Sequence, residues 1–406
     1  MSGVQLEVAD VFRLHGAVYL DTYGHRTSNE QRQVMRNIVN CRTPALGGHV
    51  KKCDKCGHQE VYFNSCRDRH CPKCQAAARA EWLEARAQDL LPGVEYFHIV
   101  FTIPDKLNSV TIQNKRLIYT ILFRAASETL LTIGHDPKHL GAQIGFLSVL
   151  HTWSQHLGLH PHVHCVVPGG GISPDGKQWI SSRINFFLPV RVLSSLFQKK
   201  FLYYLAQAFG KGEFSFRGNV QSLADEHNWK QFVGTLKKSK WVVYAKPPFG
   251  CADRVLKYLA RYTHRVAITN QRLIDLDNGK VKFHWKDYAN ENVDRTMSLD
   301  AVEFIRRFLL HTLPSGFTRI RHYGFLSNRN RNEKLAHCRE LITHSKEIKS
   351  NNVESSEATV SETQEYEDIN RCPACKEGRM RSVETIKPDL ELAWQFASRL
   401  LPEDTG

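Results

Sequence analysis

The chain has 406 residues, a formal net charge of +14 at pH 7 and a pI near 9.3. Its length allows two or three domains with a sizeable core. No apolar run approaches the roughly 18 residues of a membrane span, and the first residues lack the pattern of a signal peptide, so we expect a cytosolic protein without membrane association. The basic charge indicates a polyanionic partner, most commonly nucleic acid.

Apolar periodicity predicts two helices in the first 40 residues, followed by a segment dense in cysteine and histidine from Cys41 to Cys74 and a helix from Gln75 to Leu91. Beyond residue 94, the sequence predicts strands at 95–104, 144–155, 159–168 and 241–248, with a turn around Gly158 and helices at 117–134 and 194–210. This order favours an α+β fold with a central antiparallel sheet flanked by helices, preceded by a small metal-stabilised module.

The last third of the chain contains a helix beginning near Asp253, a hairpin with Asn278-Gly279 at its turn and a basic amphipathic helix, EFIRRFLLH. From Ser345 to Asn370 the composition is poor in apolar residues and rich in Glu, Ser and Thr, which predicts a disordered acidic linker. We therefore expect an N-terminal module at 1–94, a main domain at 95–335 and a C-terminal tail at 336–406.

Two C-x2-C pairs in the cysteine-rich segment have the spacing of zinc knuckles. Cys53 and Cys56 with Cys71 and Cys74 are predicted to close one tetrahedral site. The remaining potential ligands are predicted to form a second structural site, with His58 as a competing ligand; they are Cys41, His49, Cys66 and His70. We thus expect one or two structural zinc ions. The nearby basic residues, available to contact DNA, are Lys51, Lys52, Arg67 and Arg69.

A third C-x2-C pair, Cys372 and Cys375, makes half a zinc site near the C-terminus. Its partners could be Cys338 with His337 or His344, or it could bind no metal.

The stretch LHPHVHCVVPGGG places His162 and His164 on one face of a predicted strand, with Cys165 facing the core on the other. Two imidazoles on one face can converge on a cation. The preceding strand offers a third ligand from Gln155, His156 or His151. An isolated pair of this kind is more often an ordinary strand edge, and the glycines that follow predict a turn and not a phosphate loop.

YLARY adds Tyr258 and Tyr262, four residues apart on one face of a predicted helix. A phenol can attack phosphorus and conserve the energy of the cut bond as a phosphotyrosine ester. Its high pKa requires neighbouring cations, which this segment supplies as Lys257, Arg261 and Arg265.

These blocks together resemble the two-tyrosine HUH transposases of rolling-circle insertion sequences, a resemblance that runs from about residue 10 to 330. It rests on CRTPALGGHV, NSCRDRHCPKCQ, YFHIVFTIP, HPHVHCVVPGGG, VLKYLARYTHRVAI and EFIRRFLLHTLPSGFTRIRHYGFL. The resemblance implies an HUH endonuclease domain that nicks and joins DNA strands.

Carried over by position, the resemblance makes His162 and His164 the ligands of a catalytic magnesium or manganese ion, with Gln155 where related nucleases have a third ligand. Tyr258 and Tyr262 become the nucleophiles. Residues predicted to bind DNA are Lys257, Arg261, Arg265, Arg319 and Arg321. The implied partners are single-stranded or hairpin transposon ends and target DNA; the oligomeric state is not implied.

Three other functions remain open at this point. A replication initiator or relaxase would use the same chemistry, although no Walker-type loop is present. A zinc-ribbon DNA-binding protein without catalysis would share the charge and the cysteines but has no use for paired phenols and imidazoles. A zinc hydrolase is disfavoured because no carboxylate lies near HPHVH in the sequence to act as general base.

Overall fold

A computed structural model of the chain describes residues 5–75, 88–183, 187–249, 266–287, 290, 293–350 and 370–392. The chain divides into two compact units, each built from separate segments. The first comprises 1–78, 266–312 and 355–406, and the second comprises 79–265 and 313–354. These units differ from the three consecutive domains predicted above, because strands far apart in sequence pair with each other.

Eight α-helices lie wholly within the described residues: α1 (Val8–Tyr23), α2 (Asn29–Asn40), α3 (Asn108–Gln113), α4 (Lys115–His135), α5 (Val190–Gly210), α6 (Glu226–Lys238), α7 (Ala301–Leu310) and α8 (Arg331–Ser350). The strands of the same residues are β1 (Gly48–Cys53), β2 (Gln59–Phe63), β3 (Tyr96–Thr102), β4 (Gly145–Trp153), β5 (Leu159–Pro168), β6 (Gly170–Ile172), β7 (Trp179–Ser181), β8 (Val242–Phe249), β9 (Leu273–Asp277), β10 (Lys280–Asp287), β11 (Val293–Asp300), β12 (Ile320–Gly324) and β13 (Met380–Ile386).

In the first unit, α1, α2 and α7 pack through apolar faces, as the edge-to-face contact of Phe12 and Phe308 at 5.3 Å shows. Helix α2 begins with a capping box in which Ser28 accepts from the backbone N–H of Gln31. The predicted hairpin is confirmed as β9 and β10, since Asn278 and Gly279 both have the positive φ that such a turn requires. Strands β9 and β10 belong to a three-stranded sheet of order β11-β10-β9, and a second three-stranded sheet has the order β13-β1-β2.

The second unit is built on a five-stranded sheet of order β12-β4-β5-β3-β8, in which every neighbouring pair is antiparallel. Helices accompany the sheet, and α4 and α5 contribute to its apolar core. The predicted α+β class with an antiparallel sheet is confirmed.

Alternation along the central strand β5 separates the two faces of this sheet. Val163, Cys165 and Val167 lie in the large apolar core with α4 and α5. Val166 belongs to a smaller cluster on the opposite face, which His162 and His164 share by parity. The predicted core position of Cys165 is confirmed, and its Sγ lies 3.2 Å from Oγ of Ser148.

Among the described residues, only α4 has the length and apolar composition of a membrane span. However, 67% of its apolar window is buried, and its side chains fill the core of the second unit. The burial and composition of α4 are those of a core helix.

The glycines after β5 were predicted to form a turn, but Gly170 and Gly171 lie in strand β6 and pair with β7. A β-carbon on Gly171 would meet the carbonyl oxygen of Gln143 at 2.6 Å, and one on Gly170 would meet the ring of Trp179 at 2.7 Å. Glycine is required at both positions because other segments of the same chain approach the backbone of β6 closely.

Two predicted segments lie wholly or largely outside the described residues: the helix from Gln75 to Leu91 and the helix from Asp253 with both tyrosines. In the predicted linker, α8 continues to Ser350, because its apolar side chains Leu335, Leu341 and Ile342 are buried. The rest of the linker, 351–369, is outside the described residues.

We expect Gly324→Ala to cost clearly more stability than Gly316→Ala. Both glycines have positive φ, so each substitution carries a backbone cost of about 1 kcal/mol. A β-carbon at Gly324 would also collide with the carbonyl of Ile144, whereas nothing lies near Gly316. Chemical denaturation of both variants measures the difference, and equal losses would contradict the role of close packing at the β12 edge.

Candidate metal centres

Three histidines converge on the face of the five-stranded sheet opposite its large core. His162 and His164 come from β5, and His151 lies directly across from His162 on β4. One ring nitrogen from each lies within 4.8 Å of the others. Ring centroids are 4.7 Å apart for His162 and His164, and 4.3 Å apart for His151 and His164. Three imidazoles at this spacing can share one cation.

The hydrogen bond of His162 defines which of its nitrogens can bind a metal. Its Nδ1 lies 2.6 Å from the carbonyl oxygen of His160. Because a carbonyl only accepts, Nδ1 carries the proton and Nε2 presents its lone pair to a cation. The backbone of the strand thus holds the imidazole in a ligating tautomer.

His98 on β3 contacts the imidazole of His164, the second candidate ligand on β5. It is 2% exposed, its ring is stacked on that of His164, and its Nε2 lies 2.7 Å from Nδ1 of His164. If His164 binds a metal through Nε2, its Nδ1 must donate this hydrogen bond to His98. His98 was not among the ligands predicted from the sequence, although a lone histidine in the apolar strand YFHIVFTIP was a usable signal.

The structure brings His151 beside the two predicted ligands, and the role of Gln155 as third ligand stays a prediction. Gln155, favoured by the family pattern, lies in the turn between β4 and β5, after the strand has ended. His151 lies on the strand itself, where register holds it opposite His162. A set of three imidazoles fits a first-row transition ion better than magnesium, which prefers oxygen ligands.

Both predicted nucleophiles and three of the predicted DNA-binding residues lie outside the described residues. They are Tyr258 and Tyr262, and Lys257, Arg261 and Arg265.

Arg321 lies on β12 with its guanidinium 4.2 Å from the centroid of Phe123, which belongs to the helix-covered core. Its strand neighbour across the ladder is Ser148, on the face opposite the histidines. Arg321 therefore stacks on aromatic rings, and the DNA-binding role of Arg319 and Arg321 stays a prediction.

The cysteines form two groups of four, and neither has the predicted membership. The first group is Cys41, Cys66, Cys71 and Cys74, with Sγ of Cys74 at 3.5 Å from both Cys41 and Cys66. The knuckle of Cys71 and Cys74 pairs with these two single cysteines, so the predicted tetrahedron with Cys53 and Cys56 is wrong.

The histidines predicted for a zinc site have other contacts. His49 lies on β1, and its ring is stacked on that of Tyr62. His70 lies with Nδ1 2.9 Å from a carboxylate oxygen of Asp68. Neither is in a metal-binding group of the described residues.

The second group is Cys53, Cys56, Cys372 and Cys375. The C-terminal pair therefore meets the N-terminal knuckle and not Cys338, which lies in an apolar cluster. His337, the other candidate, contacts the carbonyl oxygen of Gly176 at 2.8 Å.

The thiols of the first group perturb one another. The thiol of Cys41 raises the pKa of Cys66 and Cys71 and lowers that of Cys74. Four thiolates this close repel each other, and a divalent cation removes the conflict by binding all four. Four thiolates are the donor set of structural zinc, so the residues of this group fit that ion.

Two groups of four thiols and one group of three imidazoles are the donor sets typical of metal-binding proteins. Residues 11–103 match the family described as "Transposase zinc-binding domain", of the IS91 type. Residues 145–334 match the family described as "Putative transposase". The chain belongs to the transposase family of the IS91 type, and its N-terminal module is a zinc-binding domain.

Two curated relatives support this membership. The chain is 51% identical over 383 residues to "Putative transposase y4qJ" of Sinorhizobium fredii, covering 93% of this chain and 95% of that protein. It is 25% identical over 305 residues to the transposase for insertion sequence element IS801 of Pseudomonas savastanoi pv. phaseolicola, covering 73% and 70%.

Among solved structures, the metal-bound conjugative relaxase TrwC in complex with oriT DNA is 14% identical, with a TM-score of 0.23 over 61% of this chain and 72% of that chain. Its metal-free form is 13% identical, with a TM-score of 0.21 over 61% and 73%.

We expect His151→Ala to weaken manganese binding by about tenfold or more, because it removes one of three ligands. Gln155→Ala, in the turn, should leave the affinity nearly unchanged. Loss of the electron paramagnetic resonance signal of free Mn²⁺ during titration measures both. A larger loss of manganese affinity in Gln155→Ala than in His151→Ala would identify Gln155 as the third ligand.

We expect His98→Leu to lower manganese affinity by roughly 10- to 100-fold, because it removes the acceptor for Nδ1–H of His164. His98→Gln should retain more affinity, since its amide oxygen can accept the same bond. The same titration compares them, with thermal unfolding to confirm that both variants fold. Equal losses in the two variants would show that His98 acts by packing alone.

Proposed function

We propose that this transposase nicks and joins single DNA strands through phosphotyrosine intermediates during rolling-circle transposition of an insertion sequence. The observation that carries the proposal is the convergence of His151, His162 and His164 on one sheet face. Membership of the IS91-type family supports it, as does YLARY in the sequence, which supplies two phenols next to three basic residues.

In the proposed reaction, the phenolate oxygen of Tyr258 or Tyr262 attacks the scissile phosphorus. The bond from phosphorus to the 3′-oxygen breaks, and this oxygen leaves with a proton as a 3′-hydroxyl. The new ester joins the phenol to the 5′-phosphate and keeps the energy of the cut bond. A 3′-hydroxyl can then attack this ester, which joins the strands and releases the phenol, while the second tyrosine serves the other cut.

The imidazole group would hold the divalent ion. When bound, the ion would act as a Lewis acid on the scissile phosphate. The hydrogen bonds of His162 to the His160 carbonyl and of His164 to His98 would fix the ligand rings before DNA binds. Of the two ions that the family pattern implies, an imidazole-only set favours manganese over magnesium.

The proposed partners are single-stranded or hairpin transposon ends and target DNA, in the cytoplasm. The net charge of +14 supports a polyanionic partner. We place the nuclease chemistry in the predicted region 95–335, which contains the imidazole group and both tyrosines.

A replication initiator or relaxase of the same chemistry is the second candidate. It would use the same imidazoles and phenols, so the DNA flanking the gene decides: paired subterminal hairpins indicate a transposon. A zinc-ribbon DNA-binding protein without catalysis is disfavoured, because three imidazoles, two of them almost fully buried at 2% and 7% exposure, would gain nothing from convergence in a mere binder.

We expect the protein with Mn²⁺ to form an SDS-resistant adduct with a labelled single-stranded oligonucleotide carrying the element's own end. The double variant Tyr258→Phe, Tyr262→Phe should form none, because no phenol remains to attack. Tyr203→Phe, at a tyrosine that is 57% exposed on α5, is the matched control and should form the adduct normally.

The double variant His162→Ala, His164→Ala should slow adduct formation by roughly a hundredfold or more, since polarisation of a phosphoryl oxygen is worth several kcal/mol. Adduct formation that survives removal of both phenols would refute the nucleophiles, and an unchanged rate without the two imidazoles would refute the metal site.

A further inference from the structure

Two C-x2-C segments from distant parts of the chain form similar turns, and the C-terminal turn is one residue longer. The N–H of Cys53 donates to the carbonyl of His58 at 2.8 Å, and the N–H of Cys372 donates to that of Gly378 at 2.8 Å. In each segment the residue after the second cysteine has positive φ, at 75° for Gly57 and 60° for Lys376. Two such knuckles are the halves from which a zinc ribbon is built.

In both segments this left-handed residue closes the turn. The N–H of Gly57 donates to the carbonyl of Cys53 at 3.3 Å, and the N–H of Lys376 donates to that of Cys372 at 3.0 Å. A non-glycine residue in this conformation is uncommon. The left-handed conformation of Lys376 therefore indicates that the turn at 372–378 serves to position its two cysteines.

The knuckles meet with sulfur atoms at metal-binding distances. Sγ of Cys53 lies 3.8 Å from that of Cys375, and Sγ of Cys56 lies 3.7 Å from that of Cys372. A zinc tetrahedron with bonds of about 2.3 Å places its sulfurs about 3.8 Å apart. The observed spacing matches four thiolates around one ion.

Gly378 lies next to sulfur atoms of both knuckles. The N–H of Gly378 lies 3.3 Å from Sγ of Cys375 and donates a hydrogen bond to this sulfur. A side chain at Gly378 would collide with Sγ of Cys53, so this position admits only glycine while the knuckles are together.

Strand pairing brings the two knuckles into register. Strand β13 follows the C-terminal knuckle and pairs antiparallel with β1, which ends in the N-terminal one, and Cys53 is opposite Met380. Strand β1 also pairs with β2 on its other side. The result is a three-stranded ribbon with both knuckles at one end.

We propose that Cys53, Cys56, Cys372 and Cys375 bind a second structural zinc, in a ribbon divided between the two ends of the chain. Cys56 and Cys372 are 316 positions apart. The matched zinc-binding domain covers 11–103, so half of this site lies outside it. Bound zinc would tie the C-terminal segment 370–392 into the first unit and restrict the chain between the knuckles in the unfolded state.

Zinc content measured by mass spectrometry tests the proposal in the full chain carrying His162→Ala and His164→Ala, which removes the imidazole site from the count. We expect two zinc ions per chain, one for each group of four cysteines. Cys372→Ser with Cys375→Ser should retain one, as should Cys66→Ser with Cys71→Ser. Cys338→Ala, at the cysteine outside both groups, should retain both ions.

A count that stays at two after loss of Cys372 and Cys375 would overturn the proposal. A count that falls by one in Cys338→Ala would identify Cys338 as a zinc ligand and would also overturn the proposal.

Alkylation of the native chain tests the same proposal without any substitution, in case a serine variant fails to fold. Cys56 is exposed, so an alkylating reagent can reach its thiol unless a metal holds it. We expect protection of Cys56 and Cys375 in zinc-loaded protein, and simultaneous modification of all four cysteines as a chelator is added. Rapid alkylation of Cys56 in zinc-loaded protein, or separate release of the two knuckles, would overturn the proposal.

Discussion

The alternation of side chains along β5 is the constraint on which the metal site depends. Every second residue of this strand is needed for the apolar core beneath α4 and α5, which leaves the intervening positions for the other face. His162 and His164 take these positions. Because the neighbouring strands β3 and β4 are antiparallel to β5 and in fixed register, they add His98 and His151 to the same face. A slip of one residue in any of these strands would move its histidine into the core.

This arrangement gives each imidazole a backbone that is already ordered. The rings sit on three central strands of a five-stranded sheet, where backbone hydrogen bonds run on both sides. The outer contacts, to the carbonyl of His160 and to His98, then select the tautomer. A rigid sheet with such contacts is a better support for a metal than a loop, because less conformational entropy is lost when the ion binds.

The first unit is organised by a different force. Its segments come from three distant parts of the chain, and the sheet β13-β1-β2 joins residues near both ends. Few large apolar side chains accompany this small sheet, where Val61 and Val383 remain exposed. Thiolate coordination can replace a core in such a module, because metal binding supplies folding free energy directly. The division of cysteines into two groups follows from strand pairing, and not from their spacing along the chain.

Local features were predictable from the sequence wherever local physics decides them. The turn at Asn278-Gly279, the capped helix α2 and the opposite orientations of Cys165 and the two histidines all follow from turn chemistry, capping and strand period. The family and the general chemistry followed from motifs spread over most of the chain. Errors arose where contacts join distant segments, as for the partners of Cys71 and Cys372.

The sequence by itself determined the residue types that this protein uses: thiolate pairs, a strand with two imidazoles on one face and a helix with two phenols. Tertiary structure decided which of them meet. Strand register placed His151 across from His162, whereas Gln155 lies past the end of the strand. The structure also brought Cys53 next to Cys375, because β1 pairs with β13. Such partnerships depend on long-range strand pairing, whose register no local pattern in the chain specifies.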